Sequence, residues 1–175
     1  MSTESHKSDE VRWFAARTGR CQELSVRKSL MQFGVECFIP TKEEFRLRRG
    51  HRVKAEAPLI PNLVFLRATK ADACALANGH GLPLHYIIDR ATRSMMVVPD
   101  KQMDDFIRVM DLDPDALCED DVQFIPGGRV RVIKGDLAGV EGEVLSLPNR
   151  TYVFVSIGHL LRAKVQIPKS YLEIL

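Results

Sequence analysis

The stretch Gly127 to Val144, GGRVRVIKGDLAGVEGEV, places five of the chain's eleven glycines within sixteen residues. On either side of its centre, valine alternates with other residues at period two (Val130, Val132; Val140, Val144), the spacing of half-buried strands. Glycine between strands marks bulges, corners and close backbone approach. A phosphate-cradling loop would instead need G-x-x-x-x-G-K-[ST] leading into a helix, and no such spacing occurs here. The segment therefore bends a sheet. From Phe124 onward the chain offers five short runs, RVRVIK, GEVLSL, TYVFVSI, RAKVQI and YLEIL, broken by glycines, by Pro148-Asn149 and by Pro168. Five such strands in so few residues predict a small closed barrel over 124–175, whose corners fall at glycine.

The remainder of the 175 residues reads as a different architecture. Residues 1–10 are small, polar and mixed in charge, which predicts a flexible tail. RWFAART is a first strand, and Gly19 to Gly34 reads as a helix with Val26, Leu30 and Phe33 on one face. VECFIP and PNLVFLRA are further strands, the second nearly all apolar, as a central strand is. Between them lies a basic segment turning at Arg49-Gly50, which predicts a long basic hairpin or arm. Thr69 with Asp72 forms a capping box for a short helix that Gly79 closes. LHYII and SMMVV flank DRATR as a hairpin, and Pro99-Asp100 opens an amphipathic helix with Met103, Phe106, Ile107 and Met110 on one side. The order over 11–110 is β, α, β, β, α, β, β, α, an α+β fold with helices packed on a mainly antiparallel sheet. Residues 111–123 are acidic and lack apolar period, so they are read as a linker.

The net charge of +2 hides a polarised distribution. Lys42 to Lys54 carries six Lys or Arg against two Glu, whereas Asp100 to Asp121 carries nine acidic residues against two basic. The first stretch suits nucleic acid and the second repels it. Cys21, Cys37, Cys74 and Cys118 form no C-x-x-C pair, so no metal site and no disulfide is expected. No apolar run is long enough for a membrane span and no secretion signal is evident, which predicts a cytoplasmic protein. His80 and His85 with Asp89 resemble a general-base grouping, but no nucleophile motif accompanies them. No catalytic residues, cofactor or metal are expected.

The glycine-rich stretch resembles the KOW motif, with Gly135, Gly139 and Gly142 as its turn glycines. RWFAART, the following helix, and FIPTKEEFRLRRGHRVKAEAPLIPNLVFLRA look like the N-terminal domain of the NusG family. Two departures narrow the resemblance. Pro61-Asn62 stands where housekeeping members have Pro-Gly, and PLIPN is closer to RfaH, while VVPDKQMDDFIRVM resembles the UpxY antiterminators of capsular polysaccharide operons. The resemblance implies a monomeric elongation and antitermination factor that docks on the clamp helices of the largest catalytic subunit of RNA polymerase. It implies docking through Trp13, Phe14, Leu59, Ile60 and Leu63. Trp13 and Phe14 are adjacent on a strand, so one is expected in the core and the other shown to a partner. Contact with non-template DNA or nascent RNA is expected from Arg17, Arg20, Arg27 and Lys28, and from Arg46, Arg48, Arg49, Arg52 and Lys54 of the arm. The KOW domain would meet a ribosomal protein or Rho, although SIGHLLRAK departs from the family wording there. The valine-rich strands favour a permanent barrel over a helical alternative. The competing reading is a ribosome-associated RNA-binding protein that uses the KOW domain and the arm.

Overall fold

The computed structural model describes residues 10–118 and 127–175, so the expected tail, Glu10 excepted, and the linker beyond Cys118 lie outside the described residues. The chain divides into two compact units, Met1–Pro99 and Asp100–Leu175.

In the first unit the elements are β1 (Arg12–Thr18), α1 (Glu23–Gln32), β2 (Glu36–Phe38), β3 (Thr41–Arg48), β4 (His51–Pro58), β5 (Leu63–Ala68), α2 (Lys70–Asn78), β6 (Leu84–Tyr86), β7 (Ile88–Asp89), β8 (Ser94–Met95) and β9 (Val97–Val98). The main sheet runs β2-β5-β1-β6, with β9 sharing the β6 edge of β1, and its pairs are antiparallel. The near-continuous apolar run of PNLVFLRA takes the interior place its composition demands, beside β1. Phe14 and Ala16 of β1 and Val64, Leu66 and Ala68 of β5 share one face, where Val26 and Leu30 of α1 and Ala73 and Leu76 of α2 pack on them. Each of the larger side chains among them (Phe14, Val26, Leu30, Val64, Leu66, Leu76) contributes on the order of 1.5–3 kcal/mol by leaving water. Tyr86 ties α2 down: its hydroxyl donates to the Ala73 carbonyl at 2.6 Å, and burial pushes its pKa up. The Thr69 capping box forms as expected, the Asp72 amide donating to Thr69 Oγ1 at 3.1 Å. Phe33 departs from expectation. The helix stops at Gln32, so Phe33 leaves the apolar stripe and is half exposed, stacked on His80 with ring centroids 4.5 Å apart.

The second unit holds α3 (Asp100–Leu112), β10 (Leu117–Cys118), β11 (Arg129–Val132), β12 (Glu141–Leu147), β13 (Arg150–Ile157), β14 (Leu161–Gln166) and β15 (Leu172–Ile174). The helix expected to end the first domain at residue 110 groups with this unit, packing on β13 and β14. The expected linker is ordered as far as it is described. Asp113 Oδ1 accepts the Asp115 amide at 3.0 Å in a short 3-10 turn, and Leu117 then pairs with Ala163 on β14.

Among the described residues the expected five strands pair antiparallel, with a sixth at the edge, in the order β10-β14-β13-β12-β11-β15, and the expected closure into a barrel is not shown. The sixth strand, β10, comes from the segment read as linker and pairs along the edge of β14. Among the described residues no pairing joins β10 to β15. The turn glycines do two different jobs. Gly135 and Gly139 adopt φ of +81° and +91°, open to glycine at no steric cost. Gly142 is instead a close approach, since a Cβ there would lie 2.4 Å from the Phe154 carbonyl oxygen across the β12–β13 pair.

Candidate functional site

Two features of the first unit stand out from its core: the turn Leu59–Asn62 and the arm β3–β4.

The turn is held from three sides. The Leu59 amide donates to the Pro40 carbonyl at 2.8 Å, and the Thr18 amide donates to the Asn62 carbonyl at 3.0 Å. The Asn62 amide donates at 2.6 Å to Oε1 of Glu23, a carboxylate only 5% exposed at the start of α1. Asn62 itself sits at φ +61°, a left-handed geometry that asparagine tolerates better than other non-glycine residues. Asparagine is thus a tolerated occupant of this position, and Glu23 holds its inward-facing amide. Leu59 and Ile60 are half-buried and Pro61 is exposed at the turn's outer side. Exposed Arg17 donates to the Pro61 carbonyl at 3.4 Å, so one of the predicted cations borders the apolar turn.

Three predicted docking residues do not reach the surface. Trp13 and Phe14 point to opposite faces of β1 as expected, yet both are covered, at 2% and 3% exposure, so neither is shown to solvent. Leu63 is fully buried in the central strand β5. The apolar patch that remains accessible is Leu59 and Ile60.

The arm is a two-stranded ribbon that pairs with no third strand among the described residues. Arg49 and Gly50 form its tip at φ +51° and +81°, the signs of the tight type I′ hairpin turn. A lone hairpin is marginal in water, so its root must carry it. There Arg27 of α1 donates to both oxygens of Glu56 on β4, at 2.6 and 2.5 Å, and Thr41 of β3 adds a bond to Glu56 Oε1 at 2.7 Å. Arg27, predicted to meet nucleic acid, is therefore a strut that ties the arm to α1. Arg46, Arg48, Arg49, Arg52 and Lys54 are all exposed along the arm, and Arg20 and Lys28 are exposed near α1. His80, His85 and Asp89 are not assembled into a site: His80 stacks on Phe33, and Asp89 Oδ1 takes the Ala91 amide at 2.8 Å. Cys21, Cys37 and Cys74 are free, and among the described residues no group of three acidic, His or Cys side chains is placed to hold a metal ion. None of the described helices is long and apolar enough to cross a membrane.

The Glu56 clamp gives the arm a pH dependence. The Arg27 guanidinium, helped by Thr41 and opposed by burial, holds the Glu56 carboxyl down to about 2 from an ordinary 4.5. A carboxyl depressed on folding stabilises fully above its unfolded pKa and loses that contribution as pH falls toward its folded value. The arm is therefore expected to loosen from pH 4.5 down to about 2. At about one-third exposure the pair is worth roughly 1 kcal/mol. Amide exchange of β3 and β4 measured across this range checks it, and Glu56→Gln should flatten the profile while weakening the arm at pH 7.

In the second unit α3 grips the glycine turn through a polar edge that sequence reading passed over. Lys101 donates to the Gly139 carbonyl at 2.7 Å and Arg108 to the Asp136 carbonyl at 2.8 Å. Between them Asp105, 3% exposed, takes both the Lys101 ammonium and the Glu141 amide, the latter at 3.0 Å. Positions 101, 105 and 108 follow i, i+4, i+7, the same period as the apolar stripe, and that repeat was the available signal.

No curated protein matches the chain. Among solved structures, one titled "Domain interaction in Thermotoga maritima NusG" is 18% identical and aligns over 95% of this chain and 98% of that one, with a TM-score of 0.48. Another, "Crystal Structure of MjSpt4:Spt5 complex conformation B", is 16% identical over 93% and 96% of the two chains, with a TM-score of 0.22. The family profile described as transcription termination factor nusG matches residues 11–107, more than half of the sequence, and the chain belongs to the NusG family of transcription factors.

Proposed function

We propose that the protein is a transcription elongation and antitermination factor, a specialised paralogue of the UpxY and RfaH kind. It binds RNA polymerase at the clamp helices of the largest catalytic subunit and suppresses pausing and termination, serving a polysaccharide biosynthesis operon. Family membership supports the polymerase as partner. The observation that carries the docking reading is the turn Leu59–Asn62, whose half-buried apolar pair is braced by Glu23 and bordered by Arg17. A braced apolar projection can anchor in a helical partner's groove without first ordering itself. Leu63, buried directly after the turn, anchors its end in β5, whereas Trp13 and Phe14, opposite Arg67 and Leu66, act further along β1 by holding the sheet on which the turn is mounted. The exposed cations Arg17, Arg20, Lys28 and those of the arm meet non-template DNA or nascent RNA beside the polymerase. The KOW unit, residues 124–175 of the expected domain, meets a ribosomal protein or Rho. Single-round transcription with purified polymerase across a terminator tests this: added protein is expected to raise read-through, and Ile60→Glu to abolish the gain. Unchanged read-through with wild-type protein overturns it.

A further inference from the structure

We propose that one face of the arm is a stacking platform for unpaired nucleobases, so that the arm takes single-stranded nucleic acid in preference to duplex. The proposal rests on the reading of the arm as a nucleic-acid contact and says which form it takes. The register sets Phe45 opposite Lys54 and Leu47 opposite Arg52, which places these four side chains on one face of the ribbon. Phe45 and Leu47 are 64% and 78% exposed. A ribbon with unpaired edges and such residues exposed invites aggregation unless something covers it, and exposed large apolar side chains set among cations mark a contact site.

Charge decides the occupant. Both glutamates of the strand β3 are already neutralised, Glu43 by Lys54 and Glu44 by Arg46. Arg48 and Arg49 at the tip have no ion-pair partner among the described residues, and the Arg52 guanidinium lies over the Phe45 ring, 5.0 Å from its centroid. One face of that ring is thus held by a cation while the side chain remains open to solvent. Cations for phosphates beside an aromatic face for a base are what unpaired strands need, and every base has a π-face to offer. A duplex keeps its base faces stacked internally, so it can use the cations but not the ring.

The test uses the full-length protein, a 5′-labelled oligothymidylate of about twelve nucleotides and a duplex of equal length, followed by fluorescence anisotropy across a salt series. Wild-type protein is expected to bind the single strand about 10-fold tighter than the duplex. Phe45→Ala should lower single-strand affinity about 10-fold, leaving duplex affinity and the salt slope unchanged, and Phe45→Trp should restore it. Arg48→Gln with Arg49→Asn should weaken both forms and make the salt slope shallower. If the charge variant weakens binding but Phe45→Ala does not, the arm binds phosphates only and the stacking platform is overturned while the nucleic-acid reading stands. If neither variant changes binding, both fall. A Phe45→Ala protein that keeps its oligonucleotide affinity but loses polymerase binding shows the face to be a protein contact and likewise overturns the proposal.

Discussion

Asp105→Ala is expected to destabilise the C-terminal unit by about 2–3 kcal/mol and to set the Glu141 amide exchanging many times faster. The carboxylate is 3% exposed and is the shared acceptor for the Lys101 ammonium and the Glu141 amide. Its removal leaves a donor and a cation unsatisfied beside a buried site, and breaking a buried pair from one side costs about 3–5 kcal/mol. Lys101 is about half exposed, so water recovers part of that loss. Asp105→Asn keeps an acceptor for the amide and should cost less than half as much. Urea unfolding of the full chain, with amide exchange at Glu141, separates the cases. Equal stability of Asp105→Ala and wild type would mean that α3 does not depend on this bond for its grip on the glycine turn.

The second large effect is at Glu23. Its Oε1 is the acceptor for the Asn62 amide, and Glu23→Ala orphans that amide where the chain already sits at φ +61°. An unsatisfied buried donor costs about 1–3 kcal/mol. Asn62 is half-buried, so we expect a loss at the lower end of that range, about 1 kcal/mol, with Leu59–Asn62 becoming mobile, while Glu23→Gln retains most of the stability. Asn62→Gly should be neutral within a few tenths of a kcal/mol, and Asn62→Val should be clearly destabilising because a β-branched residue cannot hold the left-handed geometry. Thermal unfolding and amide exchange at Asn62 read out all three. A stable Asn62→Val protein would contradict the geometry assigned to the turn.

The strand and helix order was legible because period and punctuation agreed locally: RWFAART, PNLVFLRA and the Thr69 cap each carry their own signal. What was not legible depended on the partner that each residue meets. Arg27 reads as a free cation until Glu56, 29 residues on, is brought to it by the fold of the arm. Trp13 and Phe14 alternate across β1 as any strand does, but alternation says nothing of whether both faces are covered. The acidic stretch 111–123 was read as linker because it has no apolar period, whereas its first two residues extend α3 and two more, Leu117 and Cys118, sufficed to add an edge strand to β14.

Docking of the turn Leu59–Asn62 on RNA polymerase is measured by equilibrium binding of the full-length protein to purified core polymerase, comparing wild type with Ile60→Glu. A buried charge at an apolar anchor should weaken binding at least about 30-fold, of the order of 2 kcal/mol, while the unfolding midpoint should fall only modestly because Ile60 is half-buried and lies outside the core. Wild-type affinity in Ile60→Glu, repeated in Leu59→Glu, would place the docking surface elsewhere on the molecule.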